Sequence, residues 1–189
     1  MKDTVINSLN TIHPLSDNLK IFLFNNLKPV TLHKKEIFLK QGEISNKVSF
    51  IISGLLRAYY ITEEGIDTSV WFMKEGDISI SVRSFFERKP SEEFIEAIED
   101  TVLLYITYDE LQKAYDLFPE FNIVGRRFTE KYYVLSEERL LGIRNKKAVE
   151  RYKFLLKHHP EILLRAPSQY IASYLDIDKA TLSRLKSKM

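Results

Sequence analysis

Residues 167–188 decide the fold of this chain, and they read PSQYIASYLDIDKATLSRLKSK. Ser168 and Asp178 each precede a run with helical periodicity, and the side-chain oxygen of either residue can cap the free amide groups of the helix that follows it. The stretch therefore predicts two short helices, over 169–175 and 179–187, joined by a tight turn.

The turn and the apolar positions determine how these two helices pack. Asp176 occupies the position where such a turn usually has glycine, so we expect its backbone in a left-handed conformation, which aspartate tolerates. Ala172 is small enough to let the two backbones approach closely. The residues expected in the shared core recur at helical spacing: Ile171, Ala172, Leu175, Ile177, Leu182 and Leu185.

The other face of the second helix has the chemistry of a DNA-reading surface. It presents small side chains around Arg184, with lysines on either side. In a major groove Arg184 would reach a base edge, while the lysines and the amide end of the first helix would meet phosphates. The alternative is an ordinary amphipathic pair with a solvated basic face. The candidate DNA-binding residues are Ser168, Gln169, Lys179, Ala180, Ser183, Arg184, Lys186 and Lys188.

The charge is distributed unevenly along the chain. Residues 1–142 contain 17 lysines and arginines against 22 acidic residues, a net charge of −5, whereas residues 143–189 contain 11 against 4, a net charge of +7; the total is +2. A basic C-terminal segment on an acidic body is what phosphate contacts with nucleic acid require.

The composition is typical of a soluble globular protein and excludes several kinds of site. The chain of 189 residues is 44% hydrophobic and 29% charged, which suffices for a sizeable core. It has no cysteine, so it has no disulfide, no thiolate zinc site and no cysteine-ligated iron–sulfur cluster. Because it lacks both a membrane-spanning apolar run and the apolar segment of a signal peptide, we expect a cytoplasmic protein without a membrane partner.

Between about residues 27 and 107 the sequence alternates with the period of β-strands. Near residue 80, for example, Ile78, Ile80 and Val82 alternate with polar residues. Four glycines stand 11 or 12 residues apart, each at the end of a strand-like run: Gly42, Gly54, Gly65 and Gly76. Turns at this regular spacing predict antiparallel strands in a β-roll similar to a jelly roll.

A helical period returns after Tyr108, and an apolar stripe then recurs at intervals of three and four residues over two heptads. The stripe predicts a long connecting helix. We interpret it as the seam of a symmetric homodimer, with packing on the β-roll of the same chain as the alternative. The residues of the predicted seam are Phe121, Val124, Phe128, Tyr132 and Leu135.

The predicted fold class is α+β with three parts. An N-terminal antiparallel β-roll, jelly-roll-like, occupies residues 1–117, a long connecting dimerisation helix residues 118–142, and a helix-turn-helix domain residues 143–189. Because the sequence ends at Met189, we expect no β-hairpin wing after the second helix of that domain.

This order of elements resembles that of the Crp/Fnr superfamily of bacterial transcription regulators. The segments KKEIFLKQGE, VSFIISGLLRAYY and KEGDIS are similar to the family's early strands and turns, and AVERYKFLL to the helix before its DNA-binding unit. The resemblance implies a dimeric regulator that binds a two-fold symmetric site in double-stranded DNA and contacts RNA polymerase. It also adds Thr181 to the candidate DNA-binding residues. The residues at the motif's positions are Gln169, Ile171, Ala172, Leu175, Lys179, Thr181, Ser183 and Arg184.

The resemblance also locates an effector pocket, where the sequence departs from the family pattern. The cyclic-nucleotide-binding members hold the ribose with a Gly-Glu-Leu segment and the cyclic phosphate with a later Arg followed by Ser or Thr. Residues 76–79, GDIS, resemble the first element, but the later positions fall on Ser91 and Glu92. A carboxylate there repels a phosphate, so we expect that cyclic AMP does not bind in the usual way, with Arg83 or Arg88 as the less favoured substitute. The candidate pocket residues are Gly76, Asp77, Ile78, Ser79, Arg83, Ser91 and Glu92.

The sequence does not indicate an enzyme. It lacks a phosphate-binding glycine loop and a nucleophile elbow, and of its four histidines only His33 lies in the β region. We expect no catalytic residue, no metal and no cofactor, and no effector is identified. The alternative function is a jelly-roll sensor or interaction module that acts through protein contacts without specific DNA binding.

Overall fold

The computed structural model describes residues 1–143 and 146–188. Residues 144, 145 and 189, which the sequence assigns to the helix-turn-helix domain and its end, lie outside the described residues. Within the described part of the chain, none of the helices combines the length and the hydropathy that crossing a bilayer requires.

Two helices, α1 over Lys2–Ile12 and α2 over Asp17–Asn26, open the chain. Ser16 caps α2, because its hydroxyl oxygen accepts a hydrogen bond from the amide of Leu19 at 3.3 Å. Both helices turn their apolar side chains toward the β-roll, so they close one side of it.

Among the described residues, eight strands form two antiparallel four-stranded sheets, which confirms the predicted β-roll. The strand order is β1-β8-β3-β6 in the first sheet and β2-β7-β4-β5 in the second. The strands are β1 Lys28–Leu32, β2 Ile37–Leu39, β3 Lys47–Ser53, β4 Leu56–Ile61, β5 Asp67–Met73, β6 Ile78–Ser79, β7 Phe94–Ala97 and β8 Thr101–Thr107.

The β3–β4 turn illustrates why the sequence places glycine at the turns. Gly54 has a φ of +104°, and a Cβ on this residue would lie 2.3 Å from the Oγ1 of Thr101. Only glycine therefore allows this turn to pack on the start of β8. The other three regularly spaced glycines also have positive φ, as expected of turn residues.

The remaining helices differ from prediction at one place. Residues 160–167 were expected to be a linker, but Pro160 starts a short helix, because proline at the first helical position needs no amide hydrogen bond. The helices are α3 Val82–Glu87, α4 Tyr108–Leu117, α5 Pro119–Ile143, α6 Ala148–His158, α7 Pro160–Arg165, α8 Ser168–Tyr174 and α9 Lys179–Lys188.

Three apolar clusters form the core of the described residues. The first packs α1, α2, α4 and α5 against the outer face of the first sheet. The second fills the space between the two sheets. The third belongs to α6, α7, α8 and α9 but includes Leu55, Phe72 and Ile98 of the β-roll. The C-terminal helices therefore share a core with the second sheet and do not form a separate globule.

The predicted dimer seam on α5 is wrong, because the β-roll of the same chain already covers the stripe. Phe121 and Val124 are 5% and 1% exposed and belong to the first cluster. Phe128 packs edge-on against Phe50, with ring centroids 6.2 Å apart. Tyr132 and Leu135, the last two residues of the stripe, are half-buried. The alternative, a helix lying on the β-roll, is the arrangement found.

The opposite side of α5 leaves a different apolar set exposed. Tyr133 and Leu140 are seven residues apart, as are Val134 and Leu141, and these four side chains are between 46% and 68% exposed. A period of seven places each pair on one side of the helix.

Candidate DNA-reading surface and effector cleft

The turn between α8 and α9 has the geometry that the sequence predicts. Asp176 adopts a left-handed conformation with a φ of +51°. Asp178 caps α9, because its carboxylate accepts hydrogen bonds from the amide and the hydroxyl of Thr181 at 2.7 and 2.8 Å. The predicted cap at Ser168 is wrong: Pro167 precedes α8, and Ser168 is its first helical residue.

The two helices bury the apolar residues that the sequence assigned to their shared core. Ala172 is 3% exposed, and the amide of Ile177 donates to its carbonyl at 3.0 Å, which fixes the turn on the end of α8. The other buried members are Ile171, Leu175, Leu182 and Leu185. The relative orientation of α8 and α9 is therefore set by close packing.

The outer face of α9 brings the candidate DNA-binding residues onto one surface. Arg184 is exposed and lies along its own helix, where its guanidinium donates to the hydroxyl of Thr181 at 2.9 Å. Lys186 donates to the hydroxyl of Ser168 at 3.3 Å, and so joins the ends of the two helices. The exposed residues of this surface are Ser168, Gln169, Lys179, Ala180, Ser183, Arg184, Lys186 and Lys188, with Thr181 half-buried. The sequence of α9 contains four cations and no carboxylate, so the surface is suited to phosphate.

A cleft of about 1170 Å³ lies between the β-roll and α5. Strands β4 and β5 contribute Tyr60 and Trp71 to its lining, α5 contributes Tyr132, and the segment after β6 contributes Arg83 and Glu93. The hydroxyl oxygen of Tyr132 accepts a hydrogen bond from the amide of Ile78 at 2.6 Å, which holds α5 on the edge of the first sheet.

The residues 76–79 lie beside this cleft without forming an anion site. Gly76 has a φ of +82° and its amide donates to the carbonyl of Ile51 at 3.0 Å, while the Asp77 carboxylate accepts from the amide of Lys74 at 3.1 Å. Ile78 lines the cleft, whereas Ser79 is fully buried and its hydroxyl has no hydrogen-bond partner among the described residues. These contacts hold a turn and an edge strand in place.

The arginines near the cleft already have partners. The guanidinium of Arg83 donates to the Glu92 carboxylate at 2.7 Å and lies 3.7 Å from the Glu87 carboxylate. Arg88 points away, donating to the carbonyl of Ser45 at 2.7 Å. A bound phosphate would have to compete with carboxylates for the first and displace a backbone contact of the second.

The segment after α3 adds buried polar groups to the cleft. Ser91 is buried, and its hydroxyl lies 3.2 Å from that of Ser81 and donates to the carbonyl of Glu93 at 2.8 Å. Burial raises the pKa of the Glu93 carboxyl, with the neighbouring Glu92 adding to the shift and a hydrogen bond from Ser81 opposing it. The lining thus contains an acidic group at the position where nucleotide binding would need a cation.

Residues 29–117 match the family model of the cyclic nucleotide-binding domain. That match covers the two sheets and α4, the part of the chain that forms the cleft. No curated protein sequence matches the chain.

Solved structures extend the likeness to the C-terminal helices. FixK2 from Bradyrhizobium japonicum is 23% identical, with a TM-score of 0.73 over 86% of this chain and 83% of that one. A CooA mutant from Carboxydothermus hydrogenoformans is 21% identical, with a TM-score of 0.69 over 95% and 81%. A Crp/Fnr-family transcriptional regulator from Eubacterium rectale is 18% identical, with a TM-score of 0.71 over 92% and 83%. These likenesses establish the fold of a cyclic nucleotide-binding domain followed by a long helix and C-terminal helices.

Contacts that the sequence did not predict hold the helix-turn-helix unit on the cyclic nucleotide-binding-like β-roll. Arg165 at the end of α7 donates two hydrogen bonds of 2.8 Å to the Glu75 carboxylate and also pairs with Glu99. Arg57, a charged residue inside the apolar run GLLRAYY, is the most deeply buried cation near this contact. Its position in that run was the available signal, because a buried charge requires partners brought from elsewhere in the fold.

The Glu75–Arg165 contact predicts a pH dependence of stability. The hydrogen bonds from Arg165 lower the pKa of Glu75 from 4.5 to about 2. A carboxylate with a lowered pKa contributes stability above its unfolded pKa and loses it as the pH falls toward its folded pKa. The melting temperature of the wild type should therefore exceed that of Glu75→Gln at neutral pH, and the difference should shrink between pH 4.5 and about 2.

Thermal unfolding followed by circular dichroism across this range measures the difference. Glu63→Gln, in the exposed β4–β5 turn, is the control and should show no such loss. A wild-type advantage over Glu75→Gln that stays constant through the window would contradict the assignment.

Proposed function

We propose that this protein is a dimeric DNA-binding transcription regulator of the Crp/Fnr type. The observation that carries the proposal is the exposed face of α9, which has four cations, no carboxylate, and small residues around one arginine. The match to the cyclic nucleotide-binding domain and the likeness to the Eubacterium rectale regulator support it. The domain division at 1–117, 118–142 and 143–189 belongs to this proposal, as does a contact with RNA polymerase.

In this proposal Arg184 reads a base and the lysines bind the backbone. Arg184 stands on the same side of α9 as Ala180 and Ser183, so small neighbours leave room for a groove to approach it. Lys186 and Lys188 lie at the end of the helix, where contacts to phosphate supply affinity without sequence preference.

The dimer would use the exposed side of α5. Tyr133, Val134, Leu140 and Leu141 can pack against the same residues of a second copy around a two-fold axis, as in a short coiled coil. Such a dimer would present two reading helices to DNA at a separation of roughly one turn, about 34 Å. The DNA site would then be two-fold symmetric.

The cleft of this regulator would take an effector other than a cyclic nucleotide. Arg83 is paired with carboxylates, Arg88 is turned away, and Glu93 lines the cleft. At the far end Arg139 reaches the cleft from α5, where its guanidinium lies 4.8 Å from the Tyr174 ring, at the junction with the C-terminal helices.

Selection of binding sites from randomised duplex DNA tests the function as a whole. The proposal requires enrichment of a two-fold symmetric sequence. Binding that depends on salt but enriches no sequence would instead favour the alternative, a sensor or interaction module that acts through protein contacts.

The first prediction divides the work of α9 between two residues. Arg184→Ala should weaken binding to the selected site by about 1 to 3 kcal/mol per half-site and relax the preference at one base pair. Lys186→Ala is the matched control, because it should weaken binding to all sequences alike and lower the salt slope by about one. Repeating the selection with each variant measures both effects. An unchanged preferred sequence for Arg184→Ala would refute its role.

The second prediction concerns the dimer. Val134→Asp should give a folded monomer, because it places a charge on the exposed apolar side of α5 that a second copy would bury. Val149→Asp, the same change at an exposed valine of α6, should remain dimeric. Sedimentation at micromolar protein distinguishes the two. A monomeric wild type, or a dimeric Val134→Asp, would sink the proposed interface.

The third prediction is that neither cyclic AMP nor cyclic GMP binds at micromolar concentration. The reason is the pairing of Arg83 with Glu92 and the carboxylate of Glu93 in the cleft. Titration calorimetry is the measurement. Micromolar binding that Arg83→Ala or Arg88→Ala abolishes would show that these arginines do form a phosphate site.

A further inference from the structure

The first helix of the reading unit is stacked on a buried arginine of the β-roll. The ring of Tyr170 in α8 lies 3.4 Å from the guanidinium carbon of Arg57 in β4. On the other side of the guanidinium the ring of Tyr59 lies at 3.9 Å. Arg57 is thus held between two aromatic faces, one from the β-roll and one from the reading unit, which is the favourable geometry for a desolvated cation.

Carboxylates fix this arginine so that it cannot follow Tyr170. Asp67 accepts two hydrogen bonds of 2.6 Å from Arg57, and Glu96 accepts another at 2.9 Å. The side chain of Arg57 is 2% exposed. A planar guanidinium with bidentate partners is a rigid platform, so α8 is docked on a surface with one defined position.

A second contact sets the register of α8 along β5. The hydroxyl of Ser173 accepts a hydrogen bond from the amide of Ser69 at 2.8 Å and donates to the carbonyl of Asp67 at 2.9 Å. One helical side chain therefore satisfies two backbone groups of the edge strand. Next to it, the rings of Phe72 and Tyr174 meet edge-on with centroids 5.2 Å apart.

The antiparallel pair β4–β5 has the reading unit on one face and the cleft on the other. Arg57 and Ser69 contact α8, whereas their neighbours Ala58 and Val70 line the cleft together with Trp71. This alternation is that of any strand, since successive side chains point to opposite faces. A ligand in the cleft and the helix α8 thus touch the same two strands.

We propose that Arg57 and Tyr170 are positioning residues that fix α8, and through it the reading helix α9, on the β4–β5 pair, so that the cleft and the DNA-reading surface are coupled through these two strands. The inference rests on the proposed function, because it concerns how the DNA-reading surface is held. The packing of α8 on α9 transmits the position to the reading face. In a dimer the docking would set the separation of the two reading helices.

Two variants at one position test the positioning role. Tyr170→Leu removes the aromatic face, and we expect about a tenfold loss of affinity for the selected two-fold symmetric duplex. Its affinity for random duplex of equal length should stay unchanged, because the cations of α9 are intact. Tyr170→Phe keeps the ring and should bind like the wild type. Equal affinities of the wild type and Tyr170→Leu for the symmetric site, or an equal loss on both duplexes, would overturn the proposal.

The only tryptophan of the chain provides a second measurement that needs no variant. Trp71 lines the cleft on β5. Binding of the selected duplex should change its fluorescence, since coupling between two sites acts in both directions. The same titration with Tyr170→Leu should give DNA binding without this change, and with Tyr170→Phe the full change.

Anisotropy of labelled DNA, recorded in the same titration, separates the two possible failures. No anisotropy change with any duplex means that the proposed DNA binding is wrong. An anisotropy change without a response of Trp71 in the wild type means that the protein binds DNA but that the coupling is wrong. A Trp71 response that persists in full in Tyr170→Leu would also overturn the role of Tyr170.

Discussion

The burial of Arg57 is the constraint on which the arrangement of this molecule depends. A guanidinium removed from water needs carboxylates and hydrogen bonds in good geometry, and here they come from β5 and β7 on either side of β4. The network therefore ties three strands of the second sheet together. It also offers an aromatic platform at the sheet surface, which Tyr170 completes. A sheet stabilised in this way can carry the C-terminal helices at a fixed place.

The long helix α5 provides a complementary constraint on the other side of the roll. Its stripe closes the first sheet, and the hydroxyl of Tyr132 receives the amide of the short edge strand β6. The cleft lies between this helix and the two sheets, so its walls belong to elements that also hold the rest of the fold. The exposed side of α5 remains available to a second copy of the chain. One helix can thus serve the interior and an interface because its two apolar faces are distinct.

Electrostatics separate the two functional surfaces. The cations of α9 face outward without acidic neighbours on their own helix, whereas the cations beside the cleft are matched by carboxylates such as Glu92. Polyanion binding needs free charge, because it depends on the release of counterions from the DNA. The acidic body and the basic C-terminal segment therefore differ in the partners that they can take. The same difference explains why a match to the cyclic nucleotide-binding domain does not by itself imply a nucleotide ligand.

The sequence by itself determined the local structure: the glycine turns of the β-roll, the left-handed Asp176, the Asp178 cap and the core of the helix pair. Each of these depends on residues close together in the chain, where periodicity and backbone preferences act directly. Only the tertiary structure decided what covers each apolar face and which charges meet. The stripe on α5 was correctly recognised as buried but wrongly assigned to a second copy, because periodicity identifies a face and not its partner. The network of Arg57 was missed for the same reason, since Asp67, Glu96 and Tyr170 reach it from distant parts of the chain.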